Sequence, residues 1–345
     1  MIRAGVVGAT GYIGQQLVWF LNNHPDCHID FITSHSYGDD VYSSIYGQYR
    51  GFMEKRCISI LEMDAYLGET QVVFIALPHG KSFDIARKCL SEGVKVIDMG
   101  ADFRLKDGDL YRQWYDVDHQ AEELLKKAVY GLPEIYRNKI KDAQLVANPG
   151  CYPTASILGL MPLVKHGLIH LDSMIIDGKS GVSGAGRGAK TDLLYGEVNE
   201  SFKAYGVVGH RHTPEMEQEL SKVCGSDLVL SFTPHLVPMN RGILVTCYGN
   251  LKSGISQKEI YQLYRQEYGE EPFVRVLEEL PQTRWVRGSN LCDIALRVDG
   301  RTNRVIVMAA IDNMIKGAAG QAIQNMNLLF NRKESLGLEI LAMVP

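Results

Sequence analysis

The feature that most constrains this chain is a glycine-rich junction near its start, where an apolar run gives way to a helical pattern. The run Ile2–Gly8 is long enough for one buried strand, and Gly8–Gly14 follows it with the spacing G-x-x-G-x-x-G. Apolar residues then recur at helical spacing, at Ile13, Leu17, Phe20 and Leu21. A strand that turns through glycines into a helix is the opening unit of a doubly wound α/β sheet.

The same junction predicts a dinucleotide site. Glycine allows a sharp turn and lets the backbone approach a pyrophosphate, which N–H groups at the helix N-terminus then bind. The alternative is a tight turn that binds nothing. The strand before the loop and the helix after it favour the dinucleotide.

The second predicted strand indicates which dinucleotide is bound. An NAD site usually presents an acid to the ribose 2′-OH at the end of this strand. Here the strand runs into Thr33, Ser34, His35 and Ser36, which offer hydroxyls and an imidazole but no acid. We therefore predict NADP, and we expect Asp30 to lie inside the strand.

The chain changes its pattern after Asn148. Before it, strands are predicted at Ile2–Gly8, His28–Thr33, Val72–Leu77, Val94–Asp98 and Gln144–Ala147, and helices at Tyr12–Asn23, Lys81–Glu92 and Gln120–Lys127. After it, we predict a helix over Thr154–Lys165, a hairpin of Asp293–Val298 with Arg304–Ala310, and a last helix over Ile315–Phe330. These patterns predict a parallel α/β domain over residues 1–147 and an α+β domain over 148–313, with 314–345 packing back on the first.

Composition argues against several classes of function. Over 345 residues the formal net charge is -4, which gives no basic surface for nucleic acid. No apolar run approaches the roughly 20 residues that span a bilayer, and we expect no secretory signal ahead of a strand that begins at Ile2. The seven scattered cysteines contain no Cys-x-x-Cys pair, so we expect no disulfide framework, no cysteine zinc site, and a reducing cytoplasm.

Cys151 is the predicted nucleophile. It lies in Asn148–Thr154, which follows a predicted strand and opens a predicted helix. At a helix N-terminus the macrodipole favours a thiolate, which can attack an acyl carbon and form a thioester. The alternative for any cysteine is a buried, inert side chain. We expect that alternative for Cys27, Cys57, Cys89, Cys224, Cys247 and Cys292.

His210 and His212 are the predicted proton-transfer partners of the thiol. Either imidazole can form an ion pair with Cys151 and later protonate the alkoxide made by hydride transfer. In an extended segment the two rings point to opposite sides, so we expect one of them to face the thiol. The sequence leaves open which one. We expect no metal here, because no further ligand lies at helical spacing.

A glycine-rich segment over residues 178–190 is the predicted anion site. It combines hydroxyls with Lys179, Arg187 and Lys190, and such a loop can bind an anion through N–H groups and Arg187. The alternative is a mobile surface loop with solvated charges. A P-loop is excluded, because Ser173 stands where the earlier glycine is required.

Asn313 precedes the last predicted helix. Its side chain is predicted either to bind the nicotinamide carboxamide or to cap that helix.

Taken together, these motifs resemble the N-acetyl-γ-glutamyl-phosphate reductases, arginine-biosynthesis enzymes of the acylating semialdehyde dehydrogenase group. The resemblance runs in order through nearly the whole chain, which is similar to the longer of the family's two forms. The motifs that carry it are Gly8–Gly14, Leu77–Gly80, Tyr130–Glu134, Asn148–Thr154, Ser180–Arg187, His210–Glu215 and the segment Asn313–Gln321.

The resemblance implies a Rossmann domain, an α+β catalytic and dimerisation domain, NADP, and a homodimer or homotetramer. It implies that Cys151 is the nucleophile, that His210 and His212 are the acid/base pair, and that Asn148, Ser183 and Arg187 bind substrate. The residues expected to bind the cofactor are Gly8, Thr10, Gly11, Tyr12, Ile13, Ser34, His35, Leu77, Pro78, Ser180, Gly181 and Asn313. The implied reaction forms a thioester from an acyl phosphate, which NADPH reduces to N-acetylglutamate semialdehyde.

Three alternatives remain beside this interpretation. An aspartate-semialdehyde dehydrogenase would carry an Asn-Cys-Thr pattern, whereas Cys151 is flanked by Gly150 and Tyr152. A reductase of carrier-bound aminoadipyl phosphate shares more of the motifs and would need a basic rim for an acidic carrier. A non-catalytic NADP-sensing module would have no use for Cys151 together with the two histidines.

Overall fold

The computed structural model describes residues 1–252 and 254–344. The chain folds into two compact units. The first contains Met1–Pro149 and Ala318–Glu339, and the second contains Gly150–Gly317 and the residues from Ile340 on.

The first unit is built on a seven-stranded parallel sheet. Its strands are β1 (Ile2–Val7), β2 (Cys27–Thr33), β3 (Cys57–Ile58), β4 (Val72–Ile75), β5 (Lys95–Asp98), β6 (Val129–Tyr130) and β7 (Leu145–Ala147). Their order is β3-β2-β1-β4-β5-β7-β6, so the strand order reverses between β1 and β4. In doubly wound sheets the ligand crevice lies at this reversal, outside the carboxyl ends of the strands.

Eight helices accompany this sheet among the described residues. They are α1 (Tyr12–Asn23), α2 (Tyr42–Ile45), α3 (Asp64–Leu67), α4 (Phe83–Ser91), α5 (Gly108–Tyr115), α6 (Glu122–Leu125), α7 (Pro133–Lys141) and, from the returning segment, α12 (Gly320–Leu329). The predicted bounds of α1 are confirmed, and its apolar residues Leu17, Phe20 and Leu21 are buried. The predicted helix over Gln120–Lys127 is a single turn, and α5 and α7 were not predicted.

The second unit is built on a mixed seven-stranded sheet with the order β12-β13-β14-β11-β8-β10-β9. Its strands are β8 (Ile175–Gly181), β9 (Lys203–Ala204), β10 (Ser231–Val237), β11 (Ile243–Asn250), β12 (Val274–Val276), β13 (Cys292–Asp299) and β14 (Arg304–Ile311). Its helices are α8 (Cys151–Lys165), α9 (Tyr195–Val198), α10 (Thr213–Cys224) and α11 (Gln257–Tyr268). The predicted hairpin is confirmed as β13 and β14, which pair antiparallel from Asp299 and Arg304 inward.

One face of the second sheet packs on α8, and the opposite face is half-exposed. Every residue of α8 from Tyr152 to Val164 is buried, and Gly159 approaches the sheet so closely that an added Cβ would lie 3.6 Å from Val307. Along β11 burial alternates residue by residue, which is the pattern of a strand with one covered and one open face. The half-exposed positions include Leu244, Thr246, Tyr248, Ile306 and Met308.

The end of the chain differs from the predicted segment 314–345. Residues Met314–Gly317 belong to the second unit, and they include the start of a π-helical turn over Ile315–Ala319. Helix α12 belongs to the first unit. The residues from Ile340 on return to the second unit, where the N–H of Met343 donates to the carbonyl of Arg287 at 2.7 Å. Within the described ranges, no helix is both long enough and apolar enough to cross a membrane.

Candidate active site

The glycine junction forms the predicted strand–turn–helix in the first unit. Gly8 has φ +83°, and an added Cβ there would lie 2.5 Å from the carbonyl oxygen of Ala76. An added Cβ on Gly14 would lie 2.1 Å from the carbonyl oxygen of Gly8. Helix α1 starts after Gly11, which has no side chain to cap the first N–H groups. The turn therefore fits a bound pyrophosphate, because its backbone is bare where the helix begins.

The end of β2 carries hydroxyls next to this turn. Thr33 Oγ1 accepts the N–H of Gly8 at 3.2 Å, and Ser34 Oγ lies 2.8 Å from Thr10 Oγ1. Asp30 is buried in the middle of β2, where it pairs with Arg3 at 2.9 Å. Asp30 therefore forms its ion pair inside the strand, and the end of β2 presents no acidic side chain to a ribose.

The loop after β4 adjoins the glycine turn. An added Cβ on Gly8 would lie 3.1 Å from Leu77 Cδ2, so Leu77 and Gly8 are neighbours. The fully buried carboxylate of Asp102 holds the next part of this loop. It accepts the N–H groups of Gly80 at 2.7 Å, Lys81 at 3.1 Å and Ser82 at 2.9 Å. Pro78 lies exposed between these two anchor points.

Asn148 has a structural position that differs from the predicted substrate contact. It is fully buried in the first unit, its Nδ2 donates to the carbonyl of Ala318 at 3.1 Å, and its Oδ1 accepts from Asn325 Nδ2 at 3.1 Å. The carbonyl of Asn148 accepts from Arg104 Nε at 2.8 Å. The side chain is therefore engaged with the chain itself, and it ties the end of β7 to α12.

Cys151 is the first residue of α8 in the second unit, three residues earlier than the predicted start of this helix. Gly150 is the N-cap, and its carbonyl accepts both the N–H and the hydroxyl of Thr154 at 2.9 Å. Gly317 packs against Cys151, since an added Cβ there would lie 2.7 Å from Cys151 Cβ. The position at the helix N-terminus favours a thiolate.

His212 and Glu215 both lie against Gly150. An added Cβ on Gly150 would lie 2.6 Å from His212 Nε2, so the imidazole adjoins the residue that precedes Cys151. Glu215 is 1% exposed, and its Oε1 accepts the N–H of Gly150 at 2.8 Å. The imidazole and the carboxylate reach the same residue, Gly150, because α10 begins at Thr213, directly after His212.

His210 lies in an aromatic cage behind His212. Its ring makes edge-to-face contacts with Tyr152 at 5.6 Å, Tyr205 at 5.5 Å and Phe232 at 5.3 Å. Burial, with a smaller contribution from Arg211, lowers the pKa of His210 to about 4. Its Nδ1 accepts the N–H of His212 at 3.1 Å, so a neutral His210 carries its proton on Nε2.

The expectation that the two histidine rings point to opposite sides is wrong. The ring centroids of His210 and His212 lie 4.9 Å apart in an edge-to-face arrangement. The physical reason is that the segment is a turn leading into α10, with His212 at φ −83° and ψ −10°, rather than an extended strand.

The predicted anion loop is shorter than the sequence indicated. Residues Ile175–Gly181 form β8, and Lys179 lies within that strand with Nζ 3.9 Å from Asp177. The loop proper begins at Val182, and Arg187 lies on its exposed part. Strand neighbours on both sides of β8 override the low strand propensity of its glycines and serine.

The base of this loop is a tight polar cluster. Ser183 Oγ donates to the carbonyl of Asn240 at 2.6 Å and accepts from Asn313 Nδ2 at 2.9 Å. Asn313 Oδ1 accepts the N–H of Gly242 at 2.7 Å. Asn313 was one candidate to cap the last helix. Asp312 makes the capping bond instead, because its Oδ1 accepts the N–H of Met314 at 2.8 Å. Ser180, Gly181, Ser183 and Asn313 are therefore brought together by the fold.

Comparison with known proteins places this geometry in a family. A family model described as "Semialdehyde dehydrogenase, NAD binding domain" matches residues 3–143, and "Semialdehyde dehydrogenase, dimerisation domain" matches residues 151–313. The chain belongs to the semialdehyde dehydrogenase family. These two matches cover most of the chain, and they correspond to the parallel and the mixed sheet.

Several curated relatives of this semialdehyde dehydrogenase share one name. A protein of Clostridium novyi (strain NT) named N-acetyl-gamma-glutamyl-phosphate reductase is 52% identical over 344 residues, which is 100% of both chains. A protein of the same name from Lachnoclostridium phytofermentans is 50% identical over 347 residues, again over 100% of both chains. The resemblance noted from the motifs is thereby confirmed.

Solved structures show the same fold at low identity. Aspartate semialdehyde dehydrogenase II from Vibrio cholerae has a TM-score of 0.73 at 19% identity, covering 96% of this chain and 99% of that one. Aspartate semialdehyde dehydrogenase with NADP from Candida albicans has a TM-score of 0.72 at 18% identity, covering 96% and 98%. The predicted fold class is therefore confirmed.

Two residues beside the nucleophile of this semialdehyde dehydrogenase received no role from sequence reasoning. Glu215 was noted only as part of a motif. Its position next to Pro214, in the first turn of α10, was a feature of the sequence that could have indicated a buried contact. No such indication existed for Gly317 in the sequence, because its contact with Cys151 joins residues far apart in the chain. Glu215 contacts the backbone of Gly150, and Gly317 contacts Cys151 itself.

Proposed function

We propose that this chain reduces N-acetyl-γ-glutamyl phosphate to N-acetylglutamate 5-semialdehyde with release of phosphate, as a step of arginine biosynthesis. The substrate is supported by full-length relatives of that name at about half identity. The observation that carries the chemistry is Cys151 at the start of α8, with His212 Nε2 against Gly150. We place the reaction in the cytoplasm, where such thiols stay reduced.

The first unit fits NADP(H) as the cofactor. The turn at Gly8–Gly14 would hold the pyrophosphate, and the hydroxyls at the end of β2 would tolerate a 2′-phosphate where an acid would repel it. Tyr12 and Ile13 lie within this turn, His35 follows the end of β2, and Pro78 lies in the loop after β4. All four remain predicted contacts. When bound, NADPH supplies the hydride that reduces the acyl group on Cys151.

Cys151 performs the covalent step. Its thiolate attacks the acyl carbon, a C–S bond forms, and the C–O bond to phosphate breaks with its electron pair leaving on the phosphate oxygen. His212 is placed to donate the proton that the leaving phosphate takes up. After reduction the C–S bond breaks, its electrons return to sulfur, and the aldehyde leaves.

The two histidines have different roles in this proposal. His212 is the acid/base group, because its Nε2 lies beside the peptide that precedes the nucleophile. His210 is a positioning residue, because burial keeps it neutral and its Nδ1 holds the backbone of His212. Replacing His212 by Asn should therefore lower kcat about 100-fold or more, the usual effect of losing a general acid. Replacing His210 by Asn should cost about tenfold, through the loss of one positioning bond.

The substrate phosphate is assigned to the loop that follows β8. Ser183 is held at the base of the loop by Asn240 and Asn313, and Arg187 supplies a cation on its exposed part. Ser180, Gly181 and Asn313 remain predicted cofactor contacts. A loop with N–H groups and a guanidinium suits a phosphate that must bind and then leave.

The active protein is proposed to be a homodimer, or a homotetramer made from such dimers. The family model that matches residues 151–313 is described as a dimerisation domain. The half-exposed face of the second sheet, which includes Leu244, Tyr248 and Met308, is the surface that a second copy would cover.

One assay tests the proposed substrate and the nucleophile together. Purified protein is mixed with NADP, phosphate and N-acetylglutamate semialdehyde, and formation of NADPH is followed for the parent and for Cys151→Ser. The parent should turn over and the variant should lose activity by about 1,000-fold or more, since a hydroxyl cannot replace the thiolate. A parent that is silent here but active on aspartate semialdehyde would overturn the substrate, and an unimpaired variant would overturn the mechanism.

A further inference from the structure

Three tyrosines outside the predicted site make contact with the glycine turn. Tyr42 and Tyr46 lie at the start and just after the end of α2, and Tyr49 ends the 3-10 turn that follows. Their hydroxyls donate to backbone carbonyls at Ala9 (3.0 Å), Thr10 (2.6 Å) and Gln15 (2.9 Å), respectively. Three side chains from one short segment thus hold three carbonyls of the turn and of the helix it opens.

The tyrosines support one another as a packed group. Ring centroids of Tyr42 lie 5.3 Å from Tyr46 and 5.0 Å from Tyr49, both edge-to-face. Tyr42 is fully buried and Tyr49 is 5% exposed. Burial raises the pKa of Tyr49 to about 12 and that of Tyr42 further, so both phenols stay protonated and remain donors. The group is therefore a rigid set of hydroxyl donors aimed at the turn.

The direction of these bonds matters for an anion. In a trans peptide the C=O and N–H point in opposite directions, so holding the Ala9 carbonyl on Tyr42 turns the N–H of Thr10 the other way. Glycine permits alternative peptide orientations in this turn, and a flip would aim a carbonyl at the phosphate. At the Thr10–Gly11 peptide the N–H of Gly11 also donates to the carbonyl of Gly8 at 3.2 Å, so the bond from Tyr46 adds to a backbone restraint there. The hydroxyls oppose that flip.

We propose that Tyr42 and Tyr46, supported by Tyr49, are positioning residues that fix the peptide orientations of the Gly8–Gly14 turn for the cofactor pyrophosphate. The proposal rests on the proposed NADP site in the first unit. It assigns a role to the segment 42–49, which lies outside every motif of the sequence analysis. The tyrosines themselves make no contact with the cofactor in this account; they act through the backbone carbonyls.

Binding measurements on four proteins test the proposal. Dissociation constants for NADP are measured by calorimetry for the parent, Tyr46→Phe, the double variant Tyr42→Phe/Tyr46→Phe, and the control Tyr66→Phe. Tyr66 also packs in the first unit, on Phe31, and is 37% exposed. Each protein is also titrated with 2′-AMP, which has the adenosine and 2′-phosphate but no pyrophosphate. Thermal melts report whether each variant is folded.

Tyr46→Phe should weaken NADP binding about five-fold, the effect of one lost hydrogen bond, and the double variant about 25-fold if the bonds are independent. Binding of 2′-AMP should stay within about two-fold of the parent for Tyr46→Phe, and Tyr66→Phe should bind both ligands like the parent. Unchanged NADP binding in a folded Tyr46→Phe would overturn the proposal, as would an equal loss for 2′-AMP. If the parent itself fails to bind NADP, the cofactor assignment is overturned first, which separates the two failures.

Discussion

The backbone N–H of Gly150, the residue directly before Cys151, donates to the carboxylate of Glu215 across 2.8 Å. This bond joins the N-cap of α8 to the first turn of α10, the helix that follows the two histidines. A buried N–H that loses its acceptor is costly, so this bond holds Gly150 firmly. The bond therefore holds the residue that precedes Cys151, the proposed nucleophile, in place.

Removing this carboxylate should impair turnover. Glu215→Ala should lower kcat about tenfold to 100-fold, because Gly150 is left with a buried, unpaired N–H and Cys151 moves from its position. Glu215→Gln should keep most of the activity, since an amide oxygen still accepts the bond. The control is Glu217→Ala on the same helix, whose Oε1 accepts the N–H of Leu230 at 3.0 Å. Equal losses of kcat in the two alanine variants would contradict a role at the nucleophile.

Gly317 should be required for the position of the thiol. In Gly317→Ala the new Cβ would lie 2.7 Å from Cys151 Cβ, closer than two carbon atoms can pack, so the helix start must shift. We expect kcat to fall by about tenfold or more, with little change in NADP affinity. The matched control is Gly159→Ala in α8, where the nearest atom lies at an ordinary 3.6 Å. A fully active Gly317→Ala would show that the contact is not needed.

Acid should destabilise the protein through His210. Because burial lowers its folded-state pKa to about 4, while the unfolded residue titrates near 6.5, the unfolded state binds a proton more readily between these values. The free energy of unfolding should therefore fall as pH drops from about 7 to about 4, by up to about 3 kcal/mol from this residue. Denaturant titrations of the parent and of His210→Gln should differ in this slope. If the free energy of unfolding depends on pH in the same way in both proteins, the conclusion that His210 is buried as a neutral imidazole is wrong.

Asp102 should control cofactor affinity through the loop after β4. Its carboxylate accepts N–H groups at Gly80, Lys81 and Ser82, and it also accepts from the hydroxyl of Tyr111 at 2.7 Å. In Asp102→Asn the amide NH₂ would face an N–H donor, so the loop should rearrange. We expect the KM for NADPH to rise about tenfold with kcat nearly unchanged. The control is Tyr111→Phe, which leaves the N–H groups of the loop paired with Asp102 and should keep the parent's KM. A raised KM in this variant would argue against an effect of Asp102 through the loop.

Local patterns explain what the sequence could predict. The strand, turn and helix at the start of the chain depend on neighbouring residues, and α1 was predicted with its observed bounds. Helix α5 was missed although Asp107 caps it by accepting the N–H groups of Asp109 and Leu110, a signal that the sequence carried. Helix α7 contains a non-helical residue, Tyr136, which breaks its periodicity.

Contacts between distant residues explain what the sequence could not predict. The bond between Gly150 and Glu215 joins residues 65 positions apart, and the one between Thr10 and Tyr46 joins residues 36 apart. Neither leaves a periodic trace in a single chain. The choice between His210 and His212 also needed the turn that brings both rings to one side.

Intact-protein mass spectrometry can detect whether Cys151 carries the acyl group during the reaction. The protein is mixed with N-acetyl-γ-glutamyl phosphate in the absence of NADPH, and the reaction is quenched in acid. The intact mass of the protein is then measured, and peptide mapping identifies the modified residue. We expect one N-acetylglutamyl group per chain, located on Cys151, absent in Cys151→Ser and lost when NADPH is added before the quench. An unmodified parent, or an acyl group on another residue, would contradict it.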